Sequence, residues 1–330
     1  MLSNKTILVT GGTGSFGKHF IKNILHNYNP KKLIIYSRDE MKQWYMAKEY
    51  IDDKRIRFFI GDVRDKERLH RAFHGVDIVV HAAALKIVDV AEYNPFEFVK
   101  TNILGAMNII DASIDQKIQK VIALSTDKAS NPINLYGATK LASDKLFISG
   151  NNYTGSDQTK FSIVRYGNVM GSRGSVIPFF LEQANSGKLS ITDERMTRFM
   201  IDLDCANEFV LQSLNKMIGG EIFIKKLPSM RVIDIANAVD DKAKKIIVGI
   251  RPGEKIHEQM IGHEDSEHTY ELKDSFIILP STVDKNKFNK IIKNATKVKK
   301  NFSYNSENNN KWMTTSDLKL WIKKNLHTLV

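Results

Sequence analysis

The stretch TILVTGGTGSFG, residues 6–17, decides the fold. A short β-branched run leads without a spacer into Gly11, Gly14 and Gly17, and an amphipathic stretch beginning near Ser15 follows. Glycine is needed there for two reasons. A strand-to-helix turn this tight requires open backbone angles, and a pyrophosphate can approach the amides only where no Cβ intrudes. Thr13, Ser15 and Phe16 share the loop and count with the glycines as cofactor contacts. A G-x-x-G-x-x-G alone is weak; at the head of a βαβ unit it marks a dinucleotide site.

Outward from this loop, further strands are expected at Lys32–Tyr36, Ile56–Ile60, Asp77–His81, Lys120–Leu124 and Phe161–Arg165, with the first at Thr6–Val9. Their apolar runs are mostly continuous rather than alternating, as in strands covered by helices on both faces. The rhythm predicts an α/β protein: a Rossmann-type doubly wound parallel sheet with a smaller C-terminal substrate-binding lobe. Residues 1–167 form the nucleotide-binding domain, joined by some later segments, 168–283 the lobe, and 284–330 a Lys/Asn-rich tail. In the lobe, helices are expected at Val176–Ser186 and Leu203–Met217 and strands at Glu221–Lys225 and Ile246–Ile250; a last helix starts at Thr315.

A chain of 330 residues with 42% hydrophobic and 26% charged residues is neither disordered nor of low complexity. Its single cysteine, Cys205, excludes an internal disulfide and a cysteine zinc cluster, and no metal site is expected. No apolar run reaches the roughly 18–20 residues of a membrane span. The opening residues lack the regions of a secretory signal, so a soluble cytoplasmic protein is expected. The net charge of +12 (49 minus 37) raises a nucleic-acid reading, but seven lysines and no acid fall between Lys285 and Lys300, with Phe288 the one aromatic among them. That pattern fits a solvated face, and no nucleic-acid partner is expected.

The second strand ends in Tyr36, Ser37, Arg38, Asp39, where this fold meets the adenosine ribose. A hydroxyl and a planar cation, Ser37 and Arg38, suit a 2'-phosphate, with Lys42 a second cation one turn along, so NADP is favoured over NAD. The other reading of Arg38 is a surface ion pair with an acid such as Glu40. Asp62, followed by Val63, is placed to accept from the adenine amino group, or else caps the helix from Lys66. Ala82, Ala83 and Ala84 leave room for the cofactor at the end of the fourth strand.

The fifth strand runs into LSTDKAS, and Tyr136 and Lys140 stand in LYGATK beyond it. Four residues apart on a helix, they share a face. An adjacent ammonium stabilises a phenolate, so Tyr136 can take a carbinol proton while the same carbon gives up hydride, with Thr126 as the neighbouring hydroxyl. Simple alcohol oxidation leaves Asp127 and Lys128 without a role. An acid and a base side by side suit removal of a proton α to a new ketone and protonation of a departing hydroxyl, a β-elimination.

TGGTGSFG, YSRDE, FFIGDVRD, HAAALK, LSTDKA, NPINLYGATK, RYGNV, GSRGSVIPFF, ITDERMTRF and RPGEKIHE together resemble the extended short-chain dehydrogenase/reductases, specifically the soluble inverting UDP-N-acetylglucosamine 4,6-dehydratases. The likeness runs from about residue 3 to residue 261 and continues more faintly through SFIILP and FSYNSENNNKW. It implies oxidation of UDP-GlcNAc at C4 by bound NADP+, proton loss from C5, loss of water from C6 and hydride return to C6. The product would be UDP-2-acetamido-2,6-dideoxy-β-L-arabino-hex-4-ulose, the first step towards pseudaminic acid. By likeness Lys128 is the C5 base and Asp127 the acid at the C6 hydroxyl; the residue types alone allow either order. The resemblance also carries over Lys86 at the sugar and Asn168, Arg173, Thr192, Arg195, Met196, Arg251 and Glu254 at the nucleotide end, three of them arginines suited to a diphosphate. It implies a homo-oligomer, a hexamer being one such assembly.

Two departures from the family stand in the chain: Ile87, Val88 and Asp89 where His-Val-Pro is usual, and Met200 where Trp is usual. Both bear on the shape of the sugar pocket rather than on the proton-transfer groups. A UDP-sugar 4-epimerase shares the loop and the Tyr136–Lys140 pair without needing Asp127 and Lys128, and a non-catalytic NADP-sensing regulator needs only the loop.

Overall fold

In a computed structural model, residues 2–155, 159–281 and 285–329 are described. Thr6–Thr10 (β1) is buried along its whole length. Beside it lie Lys32–Ser37 (β2), Ile56–Ile60 (β3), Ile78–His81 (β4), Lys120–Thr126 (β5) and Lys160–Tyr166 (β6), all parallel, in the spatial order β3-β2-β1-β4-β5-β6. This is the doubly wound arrangement, and its chain reversal between β1 and β4 opens a crevice at the carboxyl ends of the strands. Every residue placed in the crevice below belongs to one of those ends or to a segment folded over them.

The sheet does not stop at β6. Ile222–Lys225 adds a seventh parallel strand, and then Ser275–Ile278, Thr269–Glu271 and Thr296–Lys297 continue it antiparallel, for ten strands in all. Four strands of the large sheet thus come from beyond residue 167, the last from the Lys/Asn-rich tail. The core includes Ile7, Val9, Phe20, Ile35, Val79, Ile122, Phe147 and Ile163, buried between sheet and helices. A second core, with Ile177, Phe180, Leu189, Ile191, Met230 and Ile235, belongs to the lobe, and Leu318 and Ile322 of the helix Thr315–Leu329 complete it.

Two expected lobe elements shift. The strand placed at Ile246–Ile250 runs instead over Lys244–Ile247, paired with Lys188–Ile191, because the chain turns through Gly249 at φ +88°. The helix from Val176 ends at Ala184, just before Gly187 at φ +69°. Among the tail lysines whose side chains are described, all are exposed, while Phe288 is fully buried in the main core and does not stand among them.

Candidate active site

A cleft of about 1230 Å³ runs along the carboxyl ends of the strands, from the glycine loop to the lobe. At its nucleotide end, Gly11 takes φ +66°, and a Cβ there would lie 2.9 Å from the Ala83 amide nitrogen. The helix Ser15–Asn27 begins at Gly14, which carries no side chain to satisfy the free amides of the first turn. Those amides and the space above the glycines form an anion cradle, so the residues present fit a dinucleotide pyrophosphate.

Ser37 and Arg38 reach this end of the cleft, as do Lys42, Asp62 and Val63. The Arg38 guanidinium is half exposed and lies 3.6 Å from Asp62, so its ion pair is with Asp62 and not with Glu40. Asp39, which lines the same end, caps the helix Glu40–Glu49 by accepting from the Lys42 amide and pairs with the Lys42 ammonium. The alternative of Asp62 as a helix cap is corrected by Asp65, which accepts from the Arg68 amide. Asp62 binds the Arg64 amide at 3.0 Å and its guanidinium at 2.9 and 2.7 Å, which, with Arg38, holds its carboxyl below the ordinary range against the opposing effect of burial.

At the far end of β5 the chain makes one tight turn, Asp127–Ala129, which places Asp127 and Lys128 in the cleft lining. Asp127 Oδ1 accepts from Thr126 Oγ1 at 3.0 Å and from Lys128 Nζ at 3.1 Å; its Oδ2 has no partner among the described residues. Burial pushes the Asp127 carboxyl up although Lys128 opposes it. Burial would lower the Lys128 ammonium, yet Asp127 and Glu258 together hold it above its ordinary value.

Tyr136 and Lys140 lie on the helix Leu135–Gly150, capped by Asn134, whose side chain accepts from the Gly137 amide at 2.7 Å. Burial pushes the Tyr136 phenol up to about 12, while the Lys128 ammonium and the Thr126 hydroxyl pull it down. Lys140 is buried, its ammonium lowered by desolvation, and it donates to the Leu124 carbonyl at 2.9 Å. Lys128 thus joins the pair that the i,i+4 spacing singled out, its charge favouring the ionised phenol.

The lobe closes the cleft from above. Lys86 donates to the Arg173 carbonyl at 3.0 Å, and its ammonium is lowered by burial and then by Lys128. Asn134 Nδ2 donates to the Gly253 carbonyl at 2.7 Å and Lys255 Nζ to the Ser130 carbonyl at 2.8 Å, lacing the RPGEK loop to the catalytic segment. Arg251 is paired at 3.6 Å with Asp89, one of the residues that depart from the family. Asn168, Arg173, Thr192, Met196 and Glu254 line this end, Met196 almost wholly within the lobe core.

Arg195 does not join them. Its side chain is 68% exposed, turned back in a double contact to Asp193, and lies outside the cleft lining. Three positions on, Arg198 faces inward instead, with its Nε 3.8 Å from Glu258. The sequence reading passed over Arg198, Lys255 and Glu258; all three stand inside motifs it quoted, ITDERMTRF and RPGEKIHE.

A glycine cradle, a parallel sheet and a Tyr-x-x-x-Lys helix over one cleft are the arrangement of a short-chain dehydrogenase/reductase. The family model described as polysaccharide biosynthesis protein matches residues 7–280. The chain is 54% identical, over 96% of its length and 97% of the relative's, to a protein of Campylobacter jejuni subsp. jejuni serotype O:2 named UDP-N-acetylglucosamine 4,6-dehydratase (inverting). It is 39% identical, over 93% of its length and 92% of the relative's, to one of Rickettsia canadensis named UDP-glucose 4-epimerase. Among solved structures, Pen from Bacillus thuringiensis superposes with a TM-score of 0.89 at 38% identity, covering 99% of both chains. The chain belongs to the polysaccharide biosynthesis protein family, in its group of inverting UDP-N-acetylglucosamine 4,6-dehydratases.

Proposed function

We propose that this protein converts UDP-N-acetylglucosamine to UDP-2-acetamido-2,6-dideoxy-β-L-arabino-hex-4-ulose with bound NADP, inverting C5, as the first step to pseudaminic acid. The observation that carries this reading is the placement of Asp127 and Lys128 beside Tyr136 in one cleft, since epimerisation at C4 has no use for the first two. The Gly11–Gly17 loop, Ser37 and Arg38 would hold the cofactor, which would supply hydride-transfer chemistry at the sugar.

Tyr136 removes the proton of the C4 hydroxyl. Its phenol is raised by burial, so ionisation depends on the Lys128 charge and the Thr126 hydrogen bond. Lys140 holds the ribose hydroxyls beside it. The new ketone acidifies C5; with the proton of the Lys128–Asp127 hydrogen bond on Asp127, whose carboxyl burial raises, Lys128 takes the C5 proton as an amine and Asp127 delivers its own to the leaving C6 hydroxyl as water departs. Lys86 places a cation near the enolate charge. Arg173, Arg251, Asn168, Thr192 and Glu254 receive the uridine diphosphate. On the family resemblance the enzyme is read as cytoplasmic and assembled as a homo-oligomer; no helix among the described residues is long and apolar enough to cross a membrane.

The test is incubation with UDP-GlcNAc in deuterated water, without added cofactor, followed by proton NMR. A 6-deoxy-4-keto sugar with deuterium at an inverted C5 is expected. UDP-GalNAc as the product would replace the reading with a 4-epimerase, to which the Rickettsia relatives lend weight; unchanged substrate despite bound NADP would leave a regulator.

A further inference from the structure

We infer that Glu258 is a positioning residue for the elimination step, fixing the Lys128 ammonium at the reacting end of the cleft and setting the pH at which it gives up its proton. The inference rests on the dehydratase reading above. Glu258 Oε1 lies 2.8 Å from Lys128 Nζ, closer than Asp127 Oδ1 at 3.1 Å, and both carboxylates are almost fully buried. Glu258 Oε2 is buried without a hydrogen-bond partner among the described residues, and Glu258 lines the cleft together with Lys128.

Its backbone is clamped from two directions. The Glu258 amide donates to Ser306 Oγ at 2.9 Å, and its carbonyl accepts from the Ser306 amide at 2.8 Å. Ser306 Oγ in turn bonds Thr197 Oγ1 at 2.6 Å. The faintly matching FSYNSENNNKW segment thereby acquires a role, holding a catalytic-site carboxylate from the tail side.

The charged groups facing Lys128 are Asp127 and Glu258 as anions, and Arg198, Lys86 and Lys255 as cations, with the Tyr136 phenol beside them. Arg198 and Lys255 also act on Glu258 and, with Lys128, keep it ionised against its burial. Removing the Glu258 charge leaves one carboxylate to balance Lys128 against the desolvation and repulsion that disfavour its ammonium. The Lys128 titration then falls, in the direction opposite to what loss of a cation would cause.

The experiment compares the pH dependence of C5 deuteration for the wild type and Glu258→Gln, reading the limb that disappears in Lys128→Ala. In Glu258→Gln that limb is expected to move to lower pH by roughly 1–3 units, with Glu258→Asp restoring part of the shift. A folded Glu258→Gln whose limb stays at the wild-type position overturns the inference. If Glu258→Gln does not fold, Ser306→Ala, which removes only the hydroxyl anchoring the Glu258 amide, is read the same way: a limb moved to lower pH supports the assignment and an unmoved one overturns it. The dehydratase reading fails separately, by lack of C5 deuteration in the wild type, whatever the Glu258 variants do; persistence of C5 deuteration in Lys128→Ala removes Lys128 as the base and overturns the inference.

Discussion

Gly137 packs against the carbonyl of Lys128 so closely that a Cβ at this position would collide with the oxygen. The helix that carries Tyr136 and the turn that carries Asp127 and Lys128 thus meet at backbone distance. Asp127, Lys128 and Tyr136 consequently line one cleft. The same approach lets the Lys128 ammonium act on the Tyr136 phenol.

Gly137→Ala is therefore expected to separate the two sets of groups. The carbonyl is backbone and cannot rotate aside, so the helix or the turn must shift, at a cost of about 1–3 kcal/mol in urea unfolding. Turnover should fall by more than that stability loss suggests, with kcat reduced by roughly a hundredfold, the effect of a misplacement of about 1 Å. A variant with wild-type kcat would show that the contact is mere packing.

Acid stability should carry the signature of His81. This side chain is 2% exposed, its Nδ1 lies 2.8 Å from Thr10 Oγ1, and burial, then Lys140, push its imidazole down to about 3. The unfolded chain binds a proton near the ordinary value of about 6.5, whereas the native state refuses it. With a depressed native pKa, the stabilisation is complete above about pH 6.5 and is lost as pH falls towards 3. Wild-type unfolding free energy should thus decline through this window by up to about 1.4 kcal/mol per pH unit more steeply than that of His81→Gln. Parallel slopes in urea titrations at several pH values would show that His81 is protonated in the native state.

The two arginines at either side of the nucleotide end make a contrast. Arg251 lines the cleft, while Arg195 is spent on Asp193 at the surface. Arg251→Ala should raise KM for UDP-GlcNAc by roughly ten- to a hundredfold, the worth of a charge-assisted contact to a diphosphate. Arg195→Ala should change it by less than about twofold, since an exposed pair contributes little. Steady-state kinetics on both variants decide the matter, and an Arg195 effect as large as that of Arg251 would mean that the loop around Arg195 turns inward when substrate binds. Asp89→Ala adds a refinement: freeing Arg251 from its 3.6 Å partner should lower KM rather than raise it.

The sheet and the cofactor loop could be read from the chain because their signals are local. Continuous β-branched runs mark β1 to β6 to within a residue or two, and the glycines stand directly after β1. What escaped the reading depends on distant partners. Glu258 looks like any surface acid in KIHE; only its meeting with Lys128, across 130 positions, makes it part of the site. Arg195 and Arg198 are equivalent by residue type, and which one faces inward follows from the strand Thr197–Ile201 and its bridge to His257. The antiparallel extension through Ser275–Ile278 was likewise silent, since its pairing with Ile222–Lys225 has no counterpart in local periodicity.

The proposed preference for NADP turns on Arg38 and can be tested there. Ser37 ends β2, and Arg38 stands half exposed beyond it, tethered at 3.6 Å to Asp62 and so near the ribose end of the cleft without being locked there. Asp39, the residue that could repel a 2'-phosphate, already accepts from the Lys42 amide and pairs with its ammonium. A 2'-phosphate would thus meet a guanidinium able to swing from one anion to another and a carboxylate whose charge is compensated. Arg38→Ala should weaken NADP binding by roughly ten- to a hundredfold while leaving NAD binding nearly unchanged. Titration of the protein, stripped of nucleotide, with each dinucleotide by calorimetry checks this. Equal losses for both would assign Arg38 to the adenine or the pyrophosphate and remove the argument for NADP, because a contact to the phosphate that only NADP possesses cannot weaken NAD.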